Sequence, residues 1–273
     1  MHNLTFRGLR NLDAALDLLV TSFGLGSATD TDVVVTGSSA GGLATFLHAD
    51  RVRSRVLARA PRAKVTAVPV VGYFLDTGPR SAWGLDVQSL VQLHNVTAGR
   101  RAGGLSAACA ADRPPEREWE CFLAPNMQQY IQTPFFMLNS RFDQWQLENI
   151  AQLPCFQRGD TGHCNGTEQV AVQRYGAQFL DELAPVLRRP EAGVFVTTCV
   201  CHGCPWSDVV VRGKSSYQAL GAWQAGWAGA HKTVDAMRGP NGNGTLNNST
   251  HMDTVEDGTY RCSAWPVARE SAV

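Results

Sequence analysis

The stretch that decides the fold is DVVVTGSSAGGLATFLHADRVR, which runs from Asp32 to Arg53. Its three valines at 33–35 favour a strand that is covered on both faces, and a helical pattern follows the turn GSSAG at 37–41. This is the G-x-S-x-G arrangement of a nucleophile elbow, in which the serine stands exposed at the end of a strand. A chain with 26 glycines can contain the pattern by chance, but its position between a strand and a helix favours the elbow. We therefore predict that Ser39 is a nucleophile.

The residues beside Ser39 suit the steric and electrostatic requirements of a nucleophile elbow. We expect Gly37 and Gly41 to flank the serine because a Cβ at either position would strike the neighbouring strand or helix. The first N–H groups of a helix have no partner within the helix, and the Ala40 N–H is the first of them here. We predict that Ala40 donates this N–H to the oxyanion that develops when an ester is attacked.

Length and charge limit the classes of function. A chain of 273 residues, 44% of them hydrophobic, can bury a full core, so we expect a single α/β domain over residues 1–273. Lys and Arg together number 24, as do Asp and Glu, so no basic field attracts nucleic acid or an anionic membrane. No apolar run approaches the roughly 20 residues of a membrane span. We expect a monomer with neither a nucleic-acid partner nor a membrane span.

Eight cysteines indicate an oxidising compartment. Cys109 and Cys121 are close enough in sequence to close a short loop, and so are Cys155 and Cys164. Sequons for N-glycosylation begin at Asn3, Asn95, Asn165, Asn243, Asn247 and Asn248. These signals predict a secreted glycoprotein of the extracellular space or cell wall. Because the first residues do not read as a signal peptide, we expect the chain to be the later part of a secreted protein.

Helices and strands alternate along the rest of the chain. We predict helices at 9–20, 85–96, 144–152, 170–187 and 215–231, and further strands at 64–71, 133–139 and 193–200. This order is typical of an α/β fold with a mostly parallel sheet flanked by helices. Residues 99–120 are rich in Gly, Ala, Pro and charge. We expect them to form a surface excursion that is pinned by Cys109 and Cys121 and borders a substrate cleft.

Two more candidate residues directly follow predicted strands. Asp143 comes after 133–139 and His202 after 193–200, and the carboxyl ends of parallel strands meet at one edge of a sheet. With Ser39 they give the order Ser-Asp-His that is typical of α/β-hydrolases. His202 would accept the Ser39 proton and return it to the leaving alcohol, while Asp143 would fix the imidazole tautomer. Asp143 could instead cap the helix at 144–152, and both roles can hold together.

The cysteines beside His202 offer a zinc site as an alternative. Cys201 and His202 are adjacent in sequence and nearby loops offer disulfide partners, so we expect no metal and no other cofactor. We expect structural or surface roles for the remaining candidate bases, which are His48, His94 and His163.

Several blocks of the sequence resemble the pectin acetylesterase family. They are FRGLR (Phe6 to Arg10), GSSAGGLATFLHADRVR (Gly37 to Arg53), GYFLD (Gly72 to Asp76), LHNV (Leu93 to Val96), ECF (Glu120 to Phe122), TPFFMLNSRFDQWQLENI (Thr133 to Ile150) and CVCH (Cys199 to His202). The animal Notum carboxylesterases, which remove a fatty acyl group from a signalling protein, are similar to the same blocks. The resemblance implies a secreted, disulfide-bonded, α/β-hydrolase-like enzyme that hydrolyses esters without a metal. Its triad falls on Ser39, Asp143 and His202.

The resemblance also implies two departures. Family members have early strands and a Gly-Gly loop with oxyanion-hole donors upstream of the FRG block, so we expect the first strands and half of the oxyanion hole to lie outside this sequence. Cys201-His202-Gly203-Cys204 carries one residue more between its histidine and the next cysteine than the plant-type pair. The disulfide pairing there stays open.

The blocks FRGLR, GGLATFLHADRVR and SRFDQWQLENI are plant-like, so we expect removal of acetyl groups from pectin or a related extracellular polysaccharide. One alternative is a Notum-like lipid esterase, in which Tyr73, Phe74, Phe122 and Leu123 line an acyl pocket, although aromatic residues at strand ends are more often core. The other is an inactive, glycan-binding relative, because the upstream oxyanion loop is not in this sequence.

Overall fold

A computed structural model describes residues 6–28, 31–96, 104–157, 164–204, 206–207, 209–226 and 232–235. The chain forms two compact units, one from Met1–Leu138 with Asp181–Ala192 and the other from Asn139–Leu180 with Gly193–Val273. The expectation of a single domain over residues 1–273 stays a prediction. Within the described ranges, none of the helices has the length and apolar character needed to cross a membrane.

The first unit contains parallel strands. They are β1 (Asp32–Ser38), β2 (Lys64–Val70) and the start of β3 (Phe136–Ser140), hydrogen-bonded in that order. Asp32 pairs with Lys64 and Ser38 with Val70, while Val70 pairs with Leu138. Its helices are α1 (Gly8–Thr21), α2 (Ala40–Leu57), α3 (Ala82–Leu93), α4 (Ala107–Ala111) and α5 (Ala124–Met127), with 3-10 helices at Pro115–Phe122 and Gln128–Tyr130.

Helix α2 packs on the first two strands because its apolar face meets their valines. Val52 and Val56 of α2 are buried against Val33 and Val65, together with Leu16 of α1. Charged side chains also join α1 to α2, since Asp13 pairs with Arg51 at 2.5 Å and with Arg55 at 3.0 Å. The hydrogen bond from Arg51 lowers the pKa of Asp13. These contacts fix the helix that follows the elbow.

The second unit contains the end of β3 and the later strands. They are β4 (Gly193–Thr197), the short hairpin strands β5 (Val210–Val211) and β6 (Lys214–Ser215), and β7 (Lys232–Val234). β4 lies between β3 and β7, and Val194 pairs in parallel with Lys232. Beyond the end of β3, the Arg141 N–H donates to the Thr197 carbonyl at 2.8 Å. The helices are α6 (Gln144–Asn149), α7 (Pro154–Gln157), α8 (Gly166–Arg188), whose last turns belong to the first unit, and α9 (Ser216–Gln224).

The predicted α/β class, with a mostly parallel sheet flanked by helices, is confirmed. Two local predictions need correction. The helix predicted at 215–231 ends at Gln224, because Gly226 adopts φ 73° and the short strand β7 follows at Lys232. The stretch predicted as a surface excursion contains α4 and the start of the 3-10 helix at Pro115–Phe122, whose Trp119 is buried against Val87 and Val91 of α3.

The disulfides predicted from sequence are confirmed. Cys109 is bonded to Cys121 and Cys155 to Cys164. The first of these joins α4 to the 3-10 helix that carries Trp119, so it ties a short loop to the packed interior of the first unit.

Candidate active site

Ser39 lies between the end of β1 and the start of α2, as the elbow requires. Its backbone has φ 58° and ψ −121°, a region that L-residues other than glycine rarely adopt. Two hydrogen bonds hold this conformation, since the Ser39 N–H donates to the Val70 carbonyl at 2.9 Å and its carbonyl accepts from the Leu43 N–H at 3.0 Å. A strained serine that its surroundings keep in place is the local geometry of a nucleophile elbow.

One of the two glycines that flank Ser39 acts as the sequence predicted, and the other does not. A Cβ on Gly37 would lie 2.5 Å from the Gly41 carbonyl oxygen, which confirms its steric role. At Gly41 a Cβ would meet no atom of the described residues within 4 Å, so the predicted steric role of Gly41 is wrong. Gly42 takes that role, because a Cβ there would lie 2.3 Å from the Val70 carbonyl oxygen. The first turn of α2 crosses the end of β2 at this glycine.

Ala40 is the first residue of α2, an eighteen-residue helix, and Ser39 makes no side-chain capping bond to it. The N–H groups of the first turn therefore keep the positive end of the helix dipole beside the serine. An anion on a group attacked by Ser39 would lie near these donors. The oxyanion role of Ala40 stays a prediction.

Asp143 and His202 form a hydrogen-bonded pair within the second unit. The His202 Nδ1 lies 2.8 Å from Oδ2 and 3.0 Å from Oδ1 of Asp143. The Asp143 side chain is fully buried, whereas 23% of the His202 side chain is exposed. Because a carboxylate only accepts, Nδ1 carries the proton in this pair. In a neutral imidazole Nε2 then has the lone pair, so His202 can act as a base at its other nitrogen.

Asp143 also caps α6, which confirms the alternative prediction for this residue. One oxygen of its carboxylate accepts from the Gln146 N–H at 3.0 Å. Gln146 is itself buried, and its Oε1 accepts from the Tyr175 hydroxyl at 2.7 Å. The cap fixes the direction of the carboxylate, so the two predicted roles of Asp143 support each other.

The segment that carries His202 is held on both sides. Before it, the Ser140 hydroxyl donates to the Cys199 carbonyl, and the Thr198 hydroxyl donates to Asp235 at 2.5 Å. Around it, Cys201 is bonded to Cys204. Cys199 is also in a disulfide, so these sulfur atoms are not available as thiolate ligands for zinc. The Trp145 ring lies 6.0 Å from the His202 ring.

The sequence-predicted site residues thus fall into two groups. The structure brings Asp143 and His202 together in the second unit, and it places Ser39 and Ala40 at the elbow of the first unit. The complete triad stays a prediction.

The other histidines and the candidate acyl-pocket residues have local contacts of their own. His48 lies on α2, where burial lowers its pKa, and His94 follows α3 and stacks on Phe6 at 3.9 Å between ring centres. His163 lies outside the described residues. Tyr73 is fully buried and donates its hydroxyl to the Glu182 carbonyl at 2.7 Å. Phe74, Phe122 and Leu123 are buried or packed against buried residues, as core side chains are.

The sequence of this chain is similar to those of known proteins. A sequence model described as Pectinacetylesterase matches residues 1–245. Pectin acetylesterase 11 of Arabidopsis thaliana is 30% identical over 238 residues, which are 81% of this chain and 58% of that protein. Palmitoleoyl-protein carboxylesterase Notum of Schmidtea mediterranea is 27% identical over 253 residues, or 85% of this chain and 43% of that protein.

A solved structure gives the same architecture. The structure of the Wnt deacylase Notum from Drosophila matches with a TM-score of 0.67 at 22% identity, over 85% of this chain and 62% of that chain. This likeness confirms the predicted fold class. The chain spans about half the length of the curated relatives it matches.

Proposed function

The chain belongs to the pectinacetylesterase family, and from this premise we propose that it hydrolyses carboxylic esters with Ser39 as nucleophile, His202 as general base and acid, and Asp143 as the group that orients the histidine. The observation that carries the proposal is the hydrogen bond between His202 Nδ1 and Asp143 at 2.8 Å. It fixes the tautomer in which Nε2 can accept a proton. The reaction uses no metal and no cofactor.

The proposed reaction has two stages. His202 Nε2 accepts the proton of the Ser39 hydroxyl as its oxygen attacks the ester carbonyl, and the Ala40 N–H donates to the oxyanion. His202 then returns the proton to the leaving alcohol, which leaves an acyl group on Ser39. Water, activated by the same histidine, releases the acid. Throughout, the Asp143 carboxylate stabilises the imidazolium.

We propose acetylated pectin or a related extracellular polysaccharide as the substrate. The support is the likeness to pectin acetylesterases 11 and 7 of Arabidopsis thaliana, each 30% identical to this chain over at least 74% of its length. Buried disulfides fit the proposal that the protein is secreted and extracellular. Asn165, the asparagine of a sequon, directly precedes α8 and is exposed, as N-glycosylation requires.

A fatty acyl ester is the second candidate substrate. The relatives named palmitoleoyl-protein carboxylesterase favour it, since the one from Schmidtea mediterranea matches over 85% of this chain. The contacts of the candidate acyl-pocket residues argue against it, because Tyr73 and Leu123 are fully buried in the first unit.

The test compares p-nitrophenyl acetate with p-nitrophenyl octanoate and acetylated pectin. We expect faster hydrolysis of the acetyl esters, and loss of all hydrolysis in Ser39→Ala. Ser54→Ala is the matched control, because Ser54 is exposed on the last turns of the same helix. Faster hydrolysis of octanoate would replace acetyl by fatty acyl as the substrate. Undiminished activity in Ser39→Ala would reject the nucleophile, and no hydrolysis of any ester by the wild type would favour an inactive relative.

A further inference from the structure

His202 lies inside a disulfide loop, and this loop has no role in the chemistry proposed above. Cys201 precedes the histidine, Gly203 follows it, and Cys204 closes the loop at a sequence separation of 3. We propose that the Cys201–Cys204 disulfide is a positioning device for His202, and that dithiols of the thioredoxin class lower the esterase activity by reducing it. The proposal rests on the proposed function for its activity readout.

The backbone on either side of the loop is fixed by other contacts. The Cys199 carbonyl accepts from the Ser140 hydroxyl, which lies at the end of β3. The Cys204 carbonyl accepts from the Trp206 N–H at 2.9 Å, and the Trp206 carbonyl accepts from the Ser216 hydroxyl at 2.7 Å. The disulfide joins these two anchored ends directly across the histidine.

The loop needs such a restraint because of its composition. Gly203 is exposed and has no Cβ, so its backbone torsions are intrinsically less restricted than those of other residues. The disulfide keeps the Cα atoms of Cys201 and Cys204 at 5.4 Å, which limits the backbone torsions of both residues between them. The hydrogen bond from Nδ1 to Asp143 and the nearby Trp145 ring orient the His202 side chain, whereas the disulfide restrains its backbone. A histidine that is misaligned with the serine hydroxyl lowers kcat without weakening substrate binding, because proton transfer requires the alignment.

Partial exposure makes the Cys201–Cys204 disulfide accessible to thiol–disulfide exchange. Cys201 is partly exposed and Cys204 is buried, so a thiolate reaches the Cys201 sulfur first. The attack forms a mixed disulfide with Cys201 and breaks the bond to Cys204, which leaves as a thiolate and takes up a proton. The second thiol of the dithiol then releases Cys201, so the protein gains two electrons and two protons while the dithiol becomes a cyclic disulfide. By contrast, both cysteines of the Cys109–Cys121 bond are fully buried.

The first experiment compares two double variants. Cys201→Ser with Cys204→Ser removes the disulfide around His202, and Cys155→Ser with Cys164→Ser removes another partly exposed disulfide of the same unit. Rates on p-nitrophenyl acetate are normalised to the concentration of folded protein. We expect about a tenfold lower kcat with KM unchanged and an altered pH profile for the first variant. We expect wild-type values for the second. A wild-type kcat and pH profile in the first variant would overturn the proposal.

The second experiment uses the wild-type protein, so it tests the proposal even if the Cys201→Ser/Cys204→Ser variant fails to fold. The protein is titrated with dithiothreitol, and free thiols are alkylated and mapped by mass spectrometry. We expect activity to fall in step with the reduction of Cys201 and Cys204, as read from alkylated aliquots, and to return when protein that was not alkylated is reoxidised. Full activity with this pair reduced would overturn the proposal. Ser39→Ala separates the two hypotheses. If Ser39→Ala is active, the proposed function is refuted. If Ser39→Ala is inactive but the Cys201→Ser/Cys204→Ser variant is fully active, only the positioning role of the disulfide is refuted.

Discussion

Two neighbouring glycines at the start of α2 should respond in opposite ways to the same substitution. In Gly42→Ala the new Cβ would lie 2.3 Å from the Val70 carbonyl oxygen and 3.0 Å from the Gly72 Cα. The first distance is about 1 Å shorter than a normal contact between carbon and oxygen. Both contacts are to backbone atoms, so the end of β2 or the helix must move. Overpacking of this kind costs about 3 kcal/mol, of which the better helix propensity of alanine returns about 1 kcal/mol.

In Gly41→Ala the Cβ meets none of the described atoms, so only the helix-propensity gain of up to about 1 kcal/mol remains. The two variants should therefore differ by about 3 kcal/mol in free energy of unfolding. Urea unfolding followed by the fluorescence of the seven tryptophans measures this difference. Equal midpoints for the two variants, or a less stable Gly41→Ala, would refute the assignment of the close crossing to Gly42.

Three further predictions concern the Asp143–His202 pair, the half-buried His48 and the Asn165 sequon. Asp143→Asn should lower kcat by about 10³- to 10⁴-fold with little change in Tm, because asparagine still caps α6 but allows the wrong imidazole tautomer; a kcat within tenfold of wild type would contradict this. Burial lowers the pKa of His48 in the folded chain. As the pH falls below about 6.5, this histidine therefore binds protons more readily in the unfolded chain than in the folded one, and the free energy of unfolding decreases. In His48→Gln, urea midpoints between pH 7.5 and 5.5 should decline less, and an unchanged slope would refute this. Asn165→Asp should abolish glycosylation at this site in protein secreted from eukaryotic cells, whereas Thr167→Ser should keep it. Glycosidase treatment and peptide mapping check both, and an unmodified Asn165 in the wild type would contradict the predicted glycosylation of this sequon.

The β1–turn–α2 stretch could be predicted because its signals are local. Valines at 33–35 favour a strand, the glycines allow the turn, and the structure places Ser39 there with a positive φ. The predicted cover on both faces of this strand is wrong, because Val33 is buried whereas Val34, on the other face, is 43% exposed. The pairing of Asp143 with His202 could also be predicted, since both follow strands and the carboxyl ends of parallel strands converge.

Other features could not be predicted because they depend on distant parts of the chain. The pattern G-x-S-x-G does not reveal which glycine faces β2, and the structure assigns that contact to Gly42. Tyr175 supports Gln146 from 29 residues away, and no local signal connects the two. Trp119 is buried because α3 supplies its neighbours, although its own surroundings in sequence are polar.

The most direct test of the proposed chemistry is to map the residue that a fluorophosphonate modifies. The wild-type protein would be treated with the probe, digested and analysed by mass spectrometry, with His202→Ala and Ser54→Ala treated in parallel. The proposal predicts a single adduct on Ser39, loss of esterase activity in proportion to the adduct, slow labelling in His202→Ala and normal labelling in Ser54→Ala. An adduct on another residue, or ester hydrolysis that continues with Ser39 fully modified, would contradict it.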